Sequence, residues 1–161
     1  MERSSLSLRP AELADEAFLL SLRHQTMTEH LKRVGEPTTP EAHRERMRHR
    51  FRDIRIVLLD GEAIGMVKAY RAPDAWVLHQ VQILPSRQGS GVGRWVVEGV
   101  MADATEAGLP VRLSVLDGNP ARRLYERLGF RAVGRDGNET VFELEPSEGG
   151  GSASRPALRG A

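Results

Sequence analysis

The stretch from Trp76 to Leu116 constrains this chain more than any other. Trp76 to Leu84 alternate as a strand does, with Val77, His79, Val81 and Ile83 on one side and Leu78, Gln80, Gln82 and Leu84 on the other. Pro85 stops that strand, and a glycine-rich turn follows, Gln88-Gly89-Ser90-Gly91-Val92-Gly93. Val92, Val96, Gly99, Val100 and Ala104 then recur at helical spacing as far as Gly108, and Val111 to Leu116 is a strand again. Strand, turn, helix, strand is an α/β plan.

The flanking segments extend the plan. Ser5-Leu6-Ser7-Leu8 reads as a short strand, and Pro10 sits where a helix is expected to begin. Leu13, Ala17, Leu20, His24 and Met27 share one face of that helix. Thr39 and Pro40 read as the N-cap and N1 of a second helix with an apolar seam of His43, Met47 and Phe51. Arg55–Leu59, Asp60-Gly61 and Ala63–Tyr70 predict a type I′ hairpin. A last helix, Pro120–Leu128 capped by Asn119 and ended by Gly129, precedes a hairpin across Asp136-Gly137. Its spacing predicts that Ala121, Leu124 and Leu128 are buried, with Tyr125 on the flank shared with Arg122.

Composition closes several routes. The chain has 161 residues and no cysteine, so disulfides, thiolate metal sites and a cysteine nucleophile are excluded. Basic and acidic residues number 23 and 22, a net charge of +1 that argues against a nucleic-acid binder. Arg44, Arg46, Arg48, Arg50 and Arg52, at spacing two, scatter around their helix and make no stripe. The histidine pairs 24/30 and 43/49 do not share a helix face, so no metal site is expected. No apolar run approaches membrane length and the first residues lack the plan of a signal peptide. The expectation is a soluble cytoplasmic domain over residues 1–145. Residues 146–161, rich in Gly and Ser and without periodicity, are expected to be a disordered tail.

The glycine-rich turn sits at a helix start, where unpaired N–H groups and the positive end of the dipole attract phosphate. Glycine lets the backbone come close to an anion. That chemistry does not choose among nucleotides, dinucleotides and coenzyme A, and an ordinary strand-to-helix turn has the same composition. The dinucleotide fingerprint is not met, because the spacing is G-x-G-x-G and Pro85 to Gln88 intervene after the strand. A P-loop needs a Lys-Ser/Thr pair that does not follow.

A second motif narrows the choice. Asn119-Pro120-Ala121-Arg122-Arg123-Leu124-Tyr125-Glu126-Arg127-Leu128-Gly129-Phe130, taken with Gln88-x-x-Gly91-x-Gly93, resembles the GNAT superfamily of acyl-CoA-dependent N-acyltransferases. Gln88, Gly91 and Gly93 match its pyrophosphate motif, and Leu124-Tyr125-Glu126 and Gly129-Phe130 match its later pattern. Ala121 follows Asn119 by two positions where that pattern has three.

The resemblance implies a mixed sheet of about seven strands flanked by about four helices, splayed between the strand ending at Leu84 and the one starting at Val111. It implies that acetyl-CoA is the co-substrate, its pantetheine arm pairing with the backbone of Val81, Gln82 and Ile83. Gln88, Gly89, Ser90, Gly91, Val92, Gly93 and Arg94 would hold the pyrophosphate, Asn119 the arm, and Arg122 and Arg123 further phosphates. Tyr125 would be the general acid for the departing thiolate, and a backbone N–H near Ile83 would hold the oxyanion. The acceptor implied is a primary amine of a small molecule or peptide, and a homodimer is compatible with the chain.

Deprotonating the amine calls for a base. Glu29, His30 and His79 are the candidates; Glu29 and His30 also suit a solvated helix end, and His79 a hydrogen-bonded core position. Two other classes stay open on the residues alone: a non-catalytic nucleotide or coenzyme A module, and a small Arg-rich nucleic-acid-binding domain.

Overall fold

The computed structural model describes residues 5–147. The expected tail therefore lies, from residue 148 onward, outside the described residues. Seven strands and four helices follow one another as β1 (Leu6–Pro10), α1 (Glu16–Arg33), α2 (Pro40–Arg48), β2 (Ile54–Leu59), β3 (Glu62–Arg71), β4 (Trp76–Ile83), α3 (Val92–Ala107), β5 (Val111–Leu116), α4 (Arg122–Arg127), β6 (Arg131–Asp136) and β7 (Glu139–Leu144). The strands form one sheet in the order β1-β2-β3-β4-β5-β7-β6. β4 and β5 run parallel, whereas β1/β2, β2/β3, β5/β7 and β6/β7 are antiparallel, so the sheet is mixed as expected. Among the described residues no helix is long and apolar enough to cross a membrane.

Two compact units divide the described residues, 5–68 with 80–93 and 69–79 with 94–147. In the first, Pro10 is the last residue of a strand, not the start of a helix. Its segment pairs with β2, Pro10 opposite Arg55, and that pairing holds the backbone extended. A single 3-10 turn, Leu13–Asp15, comes next, fixed by Arg9 gripping both Asp15 oxygens at 2.8 Å. α1 therefore starts at Glu16, and its inward face is Leu19, Leu22, Arg23, Thr28 and Leu31. Leu13, expected on that face, is 83% exposed.

Leu19 and Leu22 pack with Met47, Ile54, Ile56 and Met66 into the core of this unit, which Leu84 also touches. α2 begins as expected, the Thr39 side chain accepting from Ala42 N–H at 3.1 Å ahead of Pro40. Its arginines are paired: Arg44 and Arg48 with Glu16, Arg46 with Glu36. Asp60 and Gly61 both have positive φ, 52° and 86°, as a type I′ hairpin requires.

In the second unit, β5 pairs with β7 along its full length. The parallel register of β4 with β5 covers only Trp76–Leu78 against Val111–Leu113. α3 buries Val96, Val97, Val100 and Ala104. Arg112 bridges Glu143 at 2.8 Å and Asp74 at 3.1 Å, fastening the loop before β4.

Candidate active site

The first unit carries the glycine turn. Pro85–Arg87 is a 3-10 turn, and Gln88 sends its side-chain amide back to donate to the Ile83 carbonyl at 3.0 Å. That bond ties the turn to the end of β4. The Ser90 hydroxyl donates to the Arg87 carbonyl at 2.6 Å. Gly89 and Gly91 take φ of 79° and 88°, where a side chain is strained, and nothing lies within 4 Å of the Cβ each lacks. Open space over a left-handed backbone at the first turn of α3 fits a pyrophosphate.

Gln82 and Ile83 are buried and Val81 half-buried. Sequence reasoning passed over the residue that sets this strand's approach. A Cβ on Gly65 would stand 2.5 Å from the Gln82 carbonyl oxygen and 2.7 Å from the Ile83 Cδ1. Only glycine admits so close a strand, and an isolated glycine inside the alternating Ala63–Tyr70 run was the available signal.

Glu29 and His30 also belong to this unit. Both lie in the last turns of α1, which runs on to Arg33. Glu29 is exposed. His30 Nδ1 accepts from Arg33 at 2.9 Å; burial and then the Arg33 charge push its pKa below the usual imidazole value.

The second unit holds His79, Arg94, Asn119, Arg122, Arg123 and Tyr125. His79 is exposed, so it is not a core histidine; its ring centroid lies 6.5 Å from that of Tyr70. Asn119 Oδ1 accepts from Ala121 N–H at 2.9 Å, a capping contact, although the regular helix begins only at Arg122. Tyr125 overturns the expected facing of α4. It is the buried residue of the helix, at 9% exposure, while Ala121, Leu124 and Leu128 are half-buried. The helix is too short to bury a face by periodicity, and edge-on packing against Phe130, 5.7 Å between centroids, selects Tyr125 instead. Burial pushes the phenol up to about 12. Arg94 pairs with Glu98 and Arg122 with Glu126, with the Arg122 guanidinium 5.2 Å from the centre of the Phe142 ring. Arg123 is exposed.

A mixed sheet with a glycine-led helix after its fourth strand defines a class, and sequence comparison agrees with it. The pattern of the Acetyltransferase (GNAT) family matches residues 19–130, more than half the chain. The chain belongs to that family. It is similar to the [ribosomal protein bS18]-alanine N-acetyltransferase of Haemophilus influenzae, with 32% identity over 75 residues, 46% of this chain and 51% of that protein. The chain thus spans about half the length of the curated relative it matches. Among solved structures, the PaiA N-acetyltransferase of Thermoplasma acidophilum in complex with coenzyme A aligns over 88% of this chain and 99% of that one, with a TM-score of 0.70 and 16% identity. The ribosomal-protein-S18-alanine N-acetyltransferase of Escherichia coli covers 92% and 98%, with a TM-score of 0.66 and 19% identity. At these identities the likeness is one of fold.

Proposed function

We propose that this acetyltransferase moves an acetyl group from acetyl-CoA to the α-amino group of a peptide. The observation that carries the donor assignment is the pair Gly89 and Gly91, left-handed and unobstructed at the start of α3. They lead into the unpaired N–H groups of the first helical turn, an arrangement suited to a pyrophosphate. Gln88 holds that turn in register with β4, whose Val81–Ile83 backbone would pair with the pantetheine arm. Acetyl-CoA bound there supplies a thioester as acyl donor and a thiolate as leaving group.

The chain's own residues do the rest. The Ile83 N–H receives the oxyanion. The Tyr125 hydroxyl, protonated at neutral pH as any phenol is and held so further by its burial, donates to the departing sulfur. Asn119 and the exposed arginines 94, 122 and 123 contact the cofactor arm and phosphates.

The peptide α-amine is favoured by the relatives named for alanine N-acetylation and by acid–base chemistry. An α-amine titrates about one unit above pH 7, a handicap of roughly 1 kcal/mol, whereas a lysine-like amine carries about 4.6. The weaker demand suits a site whose base candidates are an exposed Glu29, an exposed His79 and a His30 already bound to Arg33.

The test is thiol release from acetyl-CoA with an alanine-initiated peptide, the same peptide blocked at its N-terminus, and one presenting only a lysine amine. Release with the first alone supports the assignment, and equal release with the lysine peptide defeats it. For the donor, Gly91→Val should weaken acetyl-CoA binding at least tenfold by calorimetry while the protein stays folded. Unchanged affinity would remove the turn from the site.

A further inference from the structure

Arg23 is 3% exposed, and its Nε and Nη1 atoms have no hydrogen-bond partner. Among the described residues no carboxylate lies within ion-pair distance of it. A buried guanidinium left in that condition costs several kcal/mol, and proteins keep such charges when something of opposite sign meets them. The charge that acts on Arg23 is that of Arg46, and Arg23 in turn acts on His43 and Lys68, so its electrostatic neighbours are themselves basic. The acids nearby are committed elsewhere, Glu36 to Arg46 at 3.1 Å and Asp53 to Arg50 at 3.0 Å. Lys68, fully buried on β3, spends its ammonium on the carbonyls of Arg46, Met47 and His49.

Two more buried nitrogens of this unit lack a partner. One is His43 Nδ1. Thr28 Oγ1 lies 3.1 Å from His24 Nδ1 and 3.2 Å from His43 Nε2. With the hydroxyl proton given to His43 Nε2, the neutral ring carries its own proton on Nδ1. The other is Gln82 Nε2, on a residue 3% exposed. Gln82 shares the strand face of Leu84, which touches the core of Leu19, Leu22 and Met66. Among the described residues, the Arg23, His43 and Gln82 nitrogens of this unit are buried donors that no acceptor meets.

We infer that Arg23, with His43 beside it, is a binding site for a small singly charged anion, a carboxylate group or a halide. A single buried guanidinium is met by a single negative charge, so one carboxylate group or one ion matches it. Burial and the Arg46 charge pull Arg23 down to about 10, a cost that a bound anion would offset. The inference stands on the first unit alone and does not depend on the acceptor proposed above.

The experiment is thermal unfolding of the full chain without acetyl-CoA, at constant ionic strength, with sodium formate or sodium chloride replacing bulky sodium isethionate. Formate or chloride should raise Tm saturably, by roughly 8 °C at a hundred times its Kd. Arg23→Met should abolish that rise and should be at least as stable as the parent in isethionate, because an uncompensated charge has gone. Should that variant not fold, excess ³⁵Cl line broadening by the parent, displaced by formate, reads the same site. A response to formate alone assigns the site to a carboxylate-bearing molecule, and equal responses to both anions assign it to a free ion; each supports the inference. A parent with neither a saturable Tm response nor ³⁵Cl broadening, or a folded Arg23→Met with the parent's full response, would overturn it.

Discussion

Two residues show how burial sets proton chemistry in opposite senses. Tyr125 is buried beside Phe130 with its phenol pushed up to about 12. Tyr125→Phe keeps the ring and removes the proton, so turnover at saturating acetyl-CoA should fall by roughly 10²–10⁴-fold while cofactor affinity holds. A fall within twofold would take the acid role from it. The unfolded phenol ionises near 10 and the folded one near 12, so the unfolded state holds fewer protons in that window. Tyr125 therefore removes stability as pH rises from 10 to 12. Lys68 runs the other way. Burial, and then the Arg23 charge, pull it down to about 8 from 10.5. Between those values the unfolded chain binds the extra proton, so stability rises with pH there. Lys68→Met should lose that rise in urea midpoints measured from pH 8 to 10. It should also cost roughly 1–3 kcal/mol at pH 7, because the carbonyls ending α2 lose their donor.

Among elements, the glycine turn was legible in the sequence because its signal is local: a proline stop, alternating glycines and a helical repeat within one short stretch. The Thr39 cap and the Asp60-Gly61 hairpin were legible for the same reason. α1 was misplaced because pairing between Leu6–Pro10 and β2, distant in sequence, overrides a proline that reads locally as a helix start. α4 was mis-faced because six residues are too few for periodicity to outweigh one aromatic contact. Gly65 was missed because its constraint comes from β4 and not from its own segment. Gly65→Ala puts a methyl 2.5 Å from a backbone oxygen, which cannot rotate away. It should cost about 1–3 kcal/mol in chemical denaturation. Because the strand moved is the one assigned to the pantetheine arm, the KM for acetyl-CoA should rise as well. A destabilised variant with unaltered KM would separate packing from binding.

For the whole molecule, near-zero net charge and paired arginines point the same way. Arg44, Arg46, Arg48 and Arg50 each have a carboxylate within ion-pair distance, so four of the five arginines of this run are partly neutralised. The chain should elute early from heparin yet be retained on coenzyme A agarose; strong heparin retention at physiological salt would revive the nucleic-acid reading. The family was readable because two motifs fell in order on the expected elements. The acceptor was not, since the side chains that would recognise it follow no local pattern in the sequence. The burial of Lys68 has one more consequence. An enzyme that handles a reactive thioester bathes its own amines in acylating agent, and this chain offers only two lysine side chains, Lys32 and Lys68. Lys68 is sealed from solvent with its nitrogen held by carbonyls, whereas Lys32 is exposed. Peptide mapping after long incubation with acetyl-CoA should therefore place lysine adducts on Lys32 alone, leaving the protein largely immune to chemical ageing by its own substrate.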